Sequence, residues 1–195
     1  MSGCWAPPAE KALPGRCNAK GESVLYTSID IRTPFEELRI DHNCQVYMIR
    51  YKVIEGLYLG NIVPDYYKDS PGEEPTFSAQ GAISYNILRE FIRSEFIKPV
   101  GRGTEYLYKI SSSICRIQFR NKNTDGWKYP SVRTRVYGNN NIALKAESAR
   151  KKLEIDSIVI GRLQREDNYI QIEFKGEIKE DKITWIPHEE ERIFE

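Results

Sequence analysis

Three residues near the N-terminus could do chemistry together. Arg16 follows Pro14-Gly15, so it sits on a turn; Tyr26 ends the β-prone run Val24-Leu25-Tyr26; Glu37 lies just beyond Thr33-Pro34. Tyr26 follows Arg16 by ten residues, and Glu37 follows Tyr26 by eleven. An arginine's planar fork donates two hydrogen bonds to a phosphate or pyrophosphate. A tyrosine offers a flat face to an aromatic ring, and a carboxylate stabilises a sugar cation or positions a nucleophile. The trio suits a nucleotide with a breakable glycosidic bond. The plain alternative is a capped helix following an edge strand, with Arg16 and Glu37 as ordinary surface charges.

The elements that must position these residues can be read from pattern. Asn18 to Gly21 is turn chemistry. Thr33-Pro34 opens a helix, because threonine caps well and proline is tolerated at the first helical position. Glu36 and Glu37 then fall in the first turn, where the helix dipole favours carboxylates, with Glu36 the fallback to Glu37. Residues 45–59 alternate as a strand, with Val46, Met48 and Arg50 on one face and Tyr47, Ile49 and Tyr51 on the other. Residues 61–75 carry prolines and acids and read as an exposed connection.

Residues 77–96 form the longest expected helix, with Ile83, Ile87, Leu88, Phe91 and Ile92 as a core-facing stripe. Gly101-Arg102-Gly103 is a turn. Residues 104–119 suggest a second helix with Tyr106, Ile110, Ile114 and Ile117 on one face. Residues 121–126 are a polar turn, and residues 127–132 a short strand. Pro130 confines that strand to an edge or to its end, which puts Ser131 at a strand rim. Asn139 to Asn141 read as a turn and Ile142 to Leu144 as a strand. Residues 157–163, 169–175 and 184–186 read as a β-meander that is appended to, or extends, the main sheet.

Composition sets bounds. A chain of 195 residues suits one domain, or one domain with an appendage. A net charge of +1 implies no broad nucleic-acid-binding field. Cys4, Cys17, Cys44 and Cys115 are widely and irregularly spaced, which argues against zinc and for a reducing cytoplasm. His42 and His188, the only histidines, fit no metal-ligand spacing, and a Cys-His or Ser-His nucleophile is poorly supported. No apolar run approaches the ~18 residues that span a bilayer, and the first twelve residues lack the basic and apolar regions of a secretory signal.

The stretch APPAEKALPGRCNAKGESVLYTSIDIRTPFEELR resembles the first half of the RES domain, a family named for its Arg, Glu and Ser. The family's Gly-Arg-x-Asn turn reads here Gly15-Arg16-Cys17-Asn18. Its Gly-x-x-x-Leu-Tyr strand runs from Gly21 to Tyr26, and its Thr-x-x-x-Glu-Val-Arg helix start runs from Thr33 to Arg39, with Leu38 in the valine place. A second block, DGWKYPSVR from Asp125 to Arg133, is similar to the family's Asp-Gly-Ile-x-Tyr-x-Ser and supplies Ser131. With the intervening helices, the resemblance spans residues 5–145.

The resemblance implies an α+β fold with ADP-ribosyltransferase-like central β-sheets and flanking helices over residues 1–146, followed by a β-rich C-terminal extension over residues 147–195. It implies an enzyme that degrades NAD by cleaving its nicotinamide–ribose bond, as a glycohydrolase or a phosphorylase, and that serves as the toxin of a toxin–antitoxin pair. Arg16 would clamp a phosphate of NAD and Tyr26 would stack near the nicotinamide. Glu37 would orient the ribose hydroxyls and stabilise the oxocarbenium-like transition state, and Ser131 would hold the nicotinamide-ribose end or place the attacking water or phosphate. NAD is then substrate, with no cofactor and no metal. The partners implied are NAD and a cognate antitoxin, without direct nucleic-acid or membrane binding and with room for an oligomer; the location is cytoplasmic.

The chain departs from the family in two places. Members carry an upstream strand with an arginine, where only five residues precede Ala6 here, and the expected Thr-Gln pair is replaced at Tyr108-Lys109-Ile110. The alternatives are an inactive nucleotide-binding or interaction module, and a mono-ADP-ribosyltransferase.

Overall fold

A computed structural model describes residues 2–63, 78–101, 103–118, 123–131, 140–164, 169–180 and 182–194. The connection expected over residues 64–75, Arg102, residues 119 and 121–122, Val132 and Asn139 fall outside them. The fold is mixed α+β. In chain order it comprises β1 (Val24–Ser28), α1 (Arg32–Leu38), β2 (Gln45–Val53), β3 (Leu59–Asn61), α2 (Ala79–Ile97), α3 (Tyr108–Gln118), β4 (Gly126–Pro130), β5 (Asn140–Lys145), α4 (Ala146–Lys152), β6 (Leu153–Gln164), β7 (Tyr169–Lys179) and β8 (Lys182–Phe194). Among the described residues, no helix is long and apolar enough to cross a membrane.

The strands form two four-stranded sheets. The first runs β1-β5-β4-β3, antiparallel except for the parallel β4–β3 pair. The second runs β2-β6-β7-β8 and is antiparallel throughout. The C-terminal strands form a meander, and it extends from β2 rather than from the sheet that carries β1, β4 and β5. Asn140 and Asn141, expected in a turn, are the first two residues of β5. Pro130 ends β4 beyond the reach of β3, whose pairing stops at Lys128, so no ladder bond needs the missing N–H.

One face of the first sheet packs on α2 and α3 through Cys17, Val24, Phe96, Cys115, Trp127, Tyr129 and Ala143. The other buries Leu25, Leu144, Ala149 and Leu153, with Trp5 and Tyr51 against them. The two long helices are seated differently from the expected stripes. Ser78 caps α2 by accepting from the Gly81 N–H at 3.1 Å. The side buried on the sheet is Glu95–Phe96 with Ile92 packed beside it, while Ile83, Ile87, Leu88 and Phe91 face out. In α3 the buried residues are Ser111, Ser112 and Cys115, with Ile114 packed against the same core, while Tyr106, Ile110 and Ile117 are exposed. Small residues let α3 lie close to the chain at Arg16, where the Cys115 thiol donates to the Arg16 carbonyl at 3.9 Å. The two serine hydroxyls close back on Tyr108 and Lys109 carbonyls, so their burial leaves them paired.

Bulges set the faces of the second sheet. In β2 the alternation holds, with Val46 and Met48 on the core face; the register shift at Arg50/Tyr51 is a bulge in β6, where Asp156 is the extra residue. Arg50 points to solvent and pairs with Asp156, while Tyr51 turns in against Trp5. In β7 Ile172 pairs with Gly161 and Phe174 with Ile160, leaving Glu173 as the extra residue. Ile170 and Ile172 therefore face the same core as Val46 and Leu163, and Phe174 faces the other side.

Candidate functional site

The turn at Gly15 shows how Arg16 and Tyr26 are placed. The Gly15 N–H donates to the Asn18 carbonyl at 3.0 Å, closing a tight loop. The Tyr26 hydroxyl reaches into this loop, accepting from the Cys17 N–H at 2.9 Å and donating to Asn18 Oδ1 at 2.7 Å. A Cβ at position 15 would come within 2.6 Å of both the Tyr26 oxygen and Asn18 Oδ1, so glycine is required. Asn18 Nδ2 lies within 3.0 Å of the Leu13, Ala19 and Glu22 carbonyls. The motif is thus a self-satisfied clasp: Tyr26 locks the turn with its hydroxyl, while its residue stays 42% exposed and presents a ring surface. Desolvation, reinforced by the Cys17 thiol, pushes that hydroxyl well above the usual tyrosine range, so it stays protonated as a donor.

Arg16 leaves this turn toward the C-terminal end of α2. Its guanidinium donates to the Lys98 carbonyl at 2.7 Å and to the Glu95 carbonyl at 3.5 Å, and it lies 5.5 Å from the centre of the Tyr108 ring. It meets carbonyls that a helix end leaves without intrahelical donors, at the negative end of the dipole.

Glu37 is positioned by α1, and the details differ from expectation. The helix begins at Arg32, and the capping side chain is Asp30 rather than Thr33: its carboxylate accepts from the Thr33 N–H and the Thr33 hydroxyl, both at 2.8 Å. Pro34 stays within the first turn. Neither Glu36 nor Glu37 falls in that turn, so the helix dipole does not account for Glu37. Residues two apart on a helix point about 200° from each other. Phe35 packs on the second sheet with Val46, Leu163, Ile170 and Ile172, so Glu37 faces the first. There its Oε1 accepts from the Ser131 hydroxyl at 2.7 Å and from Asn141 Nδ2 at 3.0 Å. Glu36 is exposed.

Strand register ties the pieces together. Ser28 pairs with Asn141 and Tyr26 with Ala143 on β5, while Tyr129 and Trp127 pair with the same two residues from β4. Tyr26, Tyr129 and Asn141 therefore share the face that carries α2 and α3. Tyr129 is buried, and burial pushes its hydroxyl well above the usual range. The Cys17, Tyr26 and Glu37 groups add to this rise while Arg16 opposes it. Tyr129 thus stands within electrostatic reach of both the Arg16 cation and the Glu37 carboxylate. The structure brings Glu37 and Ser131 together directly and Tyr26 onto the same face. Arg16 lies on that face too, but with its head on α2.

Two members of this group were not expected from sequence. Asn141 was hidden in an Asn-Asn-Asn run that resembles a turn, and Tyr129 sits in an ordinary strand pattern. The period-two alternation of β4 and β5 was the one available signal, since it aligns Tyr129 and Asn141 with the rim where Ser131 lies.

The Asp-Gly pair that opens β4 has another purpose. Asp125 Oδ2 accepts from the Tyr58 N–H at 2.8 Å and from Lys152 Nζ at 2.9 Å. Burial raises the Asp125 pKa, but the hydrogen bonds from Tyr58, Lys152 and Ser148 outweigh it and hold the carboxyl below the usual range. A Cβ at Gly126 would lie 2.2 Å from the Ala143 carbonyl, so only glycine lets β4 approach β5 there. No protein-family model, curated protein or solved structure matches this chain.

Proposed function

We propose that this chain cleaves the nicotinamide–ribose bond of NAD, on an ADP-ribosyltransferase-like arrangement of its sheets. The observation that carries the reading is the convergence of Glu37 with Ser131 and Asn141, side chains 94 and 104 residues away, at the rim of the first sheet. The Ser131 hydroxyl and the Asn141 amide, both on one carboxylate oxygen, fix its direction. In this reading Glu37 orients the ribose hydroxyls and stabilises positive charge as the glycosidic bond lengthens. Ser131 and Asn141 hold Glu37, and Ser131 also meets the nicotinamide-ribose end. The exposed surface of Tyr26 stacks on the nicotinamide. A guanidinium has five N–H donors, so Arg16 can share itself between the end of α2 and a phosphate.

The reaction is tested by incubating purified full-length protein with NAD, with and without phosphate, and identifying products by mass. Nicotinamide with ADP-ribose marks a glycohydrolase; nicotinamide with phosphorylated ADP-ribose marks a phosphorylase. NAD left intact by folded protein overturns cleavage. A second reading, a module that binds a nucleotide or a protein without cleaving, is favoured by one observation: Arg16 is already engaged by two backbone carbonyls. Binding of NAD without turnover would select it. Label transferred from NAD to a protein would instead mark an ADP-ribosyltransferase. A role as a toxin held by an antitoxin follows from cleavage, and is tested by whether expression arrests growth and Glu37→Ala relieves it.

A further inference from the structure

The helix that carries Glu37 reaches the two sheets through side chains of opposite kind. α1 has seven residues. An isolated helix shorter than ~12–15 residues barely holds in water, so the orientation of α1 comes from what it packs against. Its apolar anchors lie on the second sheet. Phe35 is buried among Val46 of β2, Leu163 of β6, and Ile170 and Ile172 of β7, and Ile31 and Ile40, on either side of the helix, pack against the same cluster. The exit of the helix is tied to that sheet as well. The Ile40 N–H donates to the Phe35 carbonyl at 3.2 Å, the Asn43 N–H to the Leu163 carbonyl at 2.7 Å, and the Leu163 N–H to the Cys44 carbonyl at 3.3 Å. Arg162 Nη1 donates to the Asn43 carbonyl at 2.9 Å, and Arg162 Nε donates at 2.8 Å to Glu173, the extra residue of β7.

We infer that Phe35 is a positioning residue for Glu37: its ring, wedged among β2, β6 and β7, sets where the backbone of α1 stands against the rim of the first sheet. The inference rests on the reading of Glu37 as the carboxylate that acts in cleavage. Ser131 and Asn141 fix where that carboxylate ends, but they meet it only if α1 brings its backbone to the right place. Phe35 and Glu37 stand two residues apart, on nearly opposite sides of the helix, so a shift of the ring in its socket carries the carboxylate with it. A truncated side chain leaves a void that a two-turn helix can settle into. The last strands of the chain thereby take part in the reaction. Leu163, Ile170 and Ile172 make up most of the Phe35 socket, although they lie beyond residue 145, where the resemblance to the RES family ends.

The test is a double-mutant cycle on the full-length chain, with kcat and KM for NAD measured in Phe35→Ala, Glu37→Ala and the two combined. A misplacement of about 1 Å costs on the order of 10²-fold, so Phe35→Ala is expected to lower kcat by about that factor, with KM unchanged. Phe35→Leu, which keeps a large apolar side chain in the socket, should restore most of the rate. In the Glu37→Ala background the loss of Phe35 should lower the residual rate no further, because both changes act through one carboxylate. A merely structural loss would lower the rate equally in both backgrounds. That outcome, or full kcat in folded Phe35→Ala, overturns the inference and leaves cleavage standing. Phe35→Val, a smaller truncation, carries the same cycle should the alanine chain not fold. A second readout needs no turnover: hydrogen exchange of the α1 amides, expected to be faster in Phe35→Ala by ~10-fold or more while the strands of the first sheet keep their protection. Unchanged exchange over residues 32–38 overturns the inference. A wild-type chain that leaves NAD intact overturns cleavage instead, and the exchange measurement then decides by itself whether Phe35 holds α1 in place.

Discussion

β4 is flanked at both ends by a carboxylate cluster, and the two clusters are built differently. At its start Asp125 meets the Lys152 cation and the Tyr58 N–H, deep between β3, β5 and α4. At its finish Ser131 meets Glu37, which also accepts from Asn141. The first pairs an anion with a cation and pins three segments; replacing its members removes structure. The second holds the Glu37 carboxylate through a hydroxyl and an amide donor at a sheet rim. A single block, DGWKYPS, therefore begins beside an ion pair that ties segments together and ends on the serine that the proposed chemistry uses.

Mutations should separate the two ends. The largest effect is expected from Glu37→Ala, which should lower the rate of NAD loss about 10²–10³-fold, as removal of a transition-state electrostatic group does, while the melting temperature stays within a few degrees of wild type. Full turnover in that variant would leave the rim without a catalytic carboxylate. Next comes Gly126→Ala at the opposite end. Its new methyl must displace the β5 backbone, at a cost of about 3 kcal/mol or more, a fall of roughly 6–12 °C in melting temperature. An unchanged melting curve would mean that β4 and β5 do not approach as described.

A pH series sharpens the contrast. Because the folded state holds Asp125 below its unfolded value, its contribution is fully present above the unfolded pKa, near 4, and is lost as pH falls through the folded one. Urea unfolding should therefore show an acid loss of stability below about pH 4, and Asp125→Asn should make that loss smaller. If the variant keeps the whole acid dependence, Asp125 is not its source. The smallest effect is expected from Tyr26→Phe, which removes the acceptor of the Cys17 N–H and should cost about 1–2 kcal/mol in denaturant unfolding. Activity should fall by less than with Glu37→Ala, since the ring is retained; an equal fall would give the hydroxyl a direct role.

Much of this arrangement was legible in the sequence. The strands at β1, β2, β4 and β6–β8 and the spans of α2 and α3 follow from alternation, helical period and breakers. The convergence of Glu37 with Ser131 was expected only through resemblance, since no local pattern links residues so far apart. What failed was orientation. A helical stripe of isoleucine and phenylalanine predicts a core face, yet of the α2 stripe Ile92 alone packs inward, beside Glu95 and Phe96, and in α3 Ile114 does so beside Ser111, Ser112 and Cys115, which let the helix approach the chain at Arg16. The bulges at Asp156 in β6 and at Glu173 in β7 each reverse an alternation that looks continuous in sequence. Asn141 looked like turn chemistry because asparagine favours turns, and only the pairing of β5 shows it as a strand residue. Thr33 looked like a cap, and Asp30 three residues earlier took that place.

The pairing scheme also bears on the order in which the molecule is made. β1 finds its partner only at residues 140–145, β2 only at residues 153–162, and β3 only at residues 126–128. Among the described residues, no strand of the first half pairs with another from that half. The meander β6-β7-β8, by contrast, closes between neighbours in sequence, so folding is expected to start near the C-terminus and work backward. A ribosome must deliver most of the chain before α1 has a sheet on either side. Glu37 then stays unplaced until β4, β5 and the second sheet have been made, and the cleavage proposed above would wait for them.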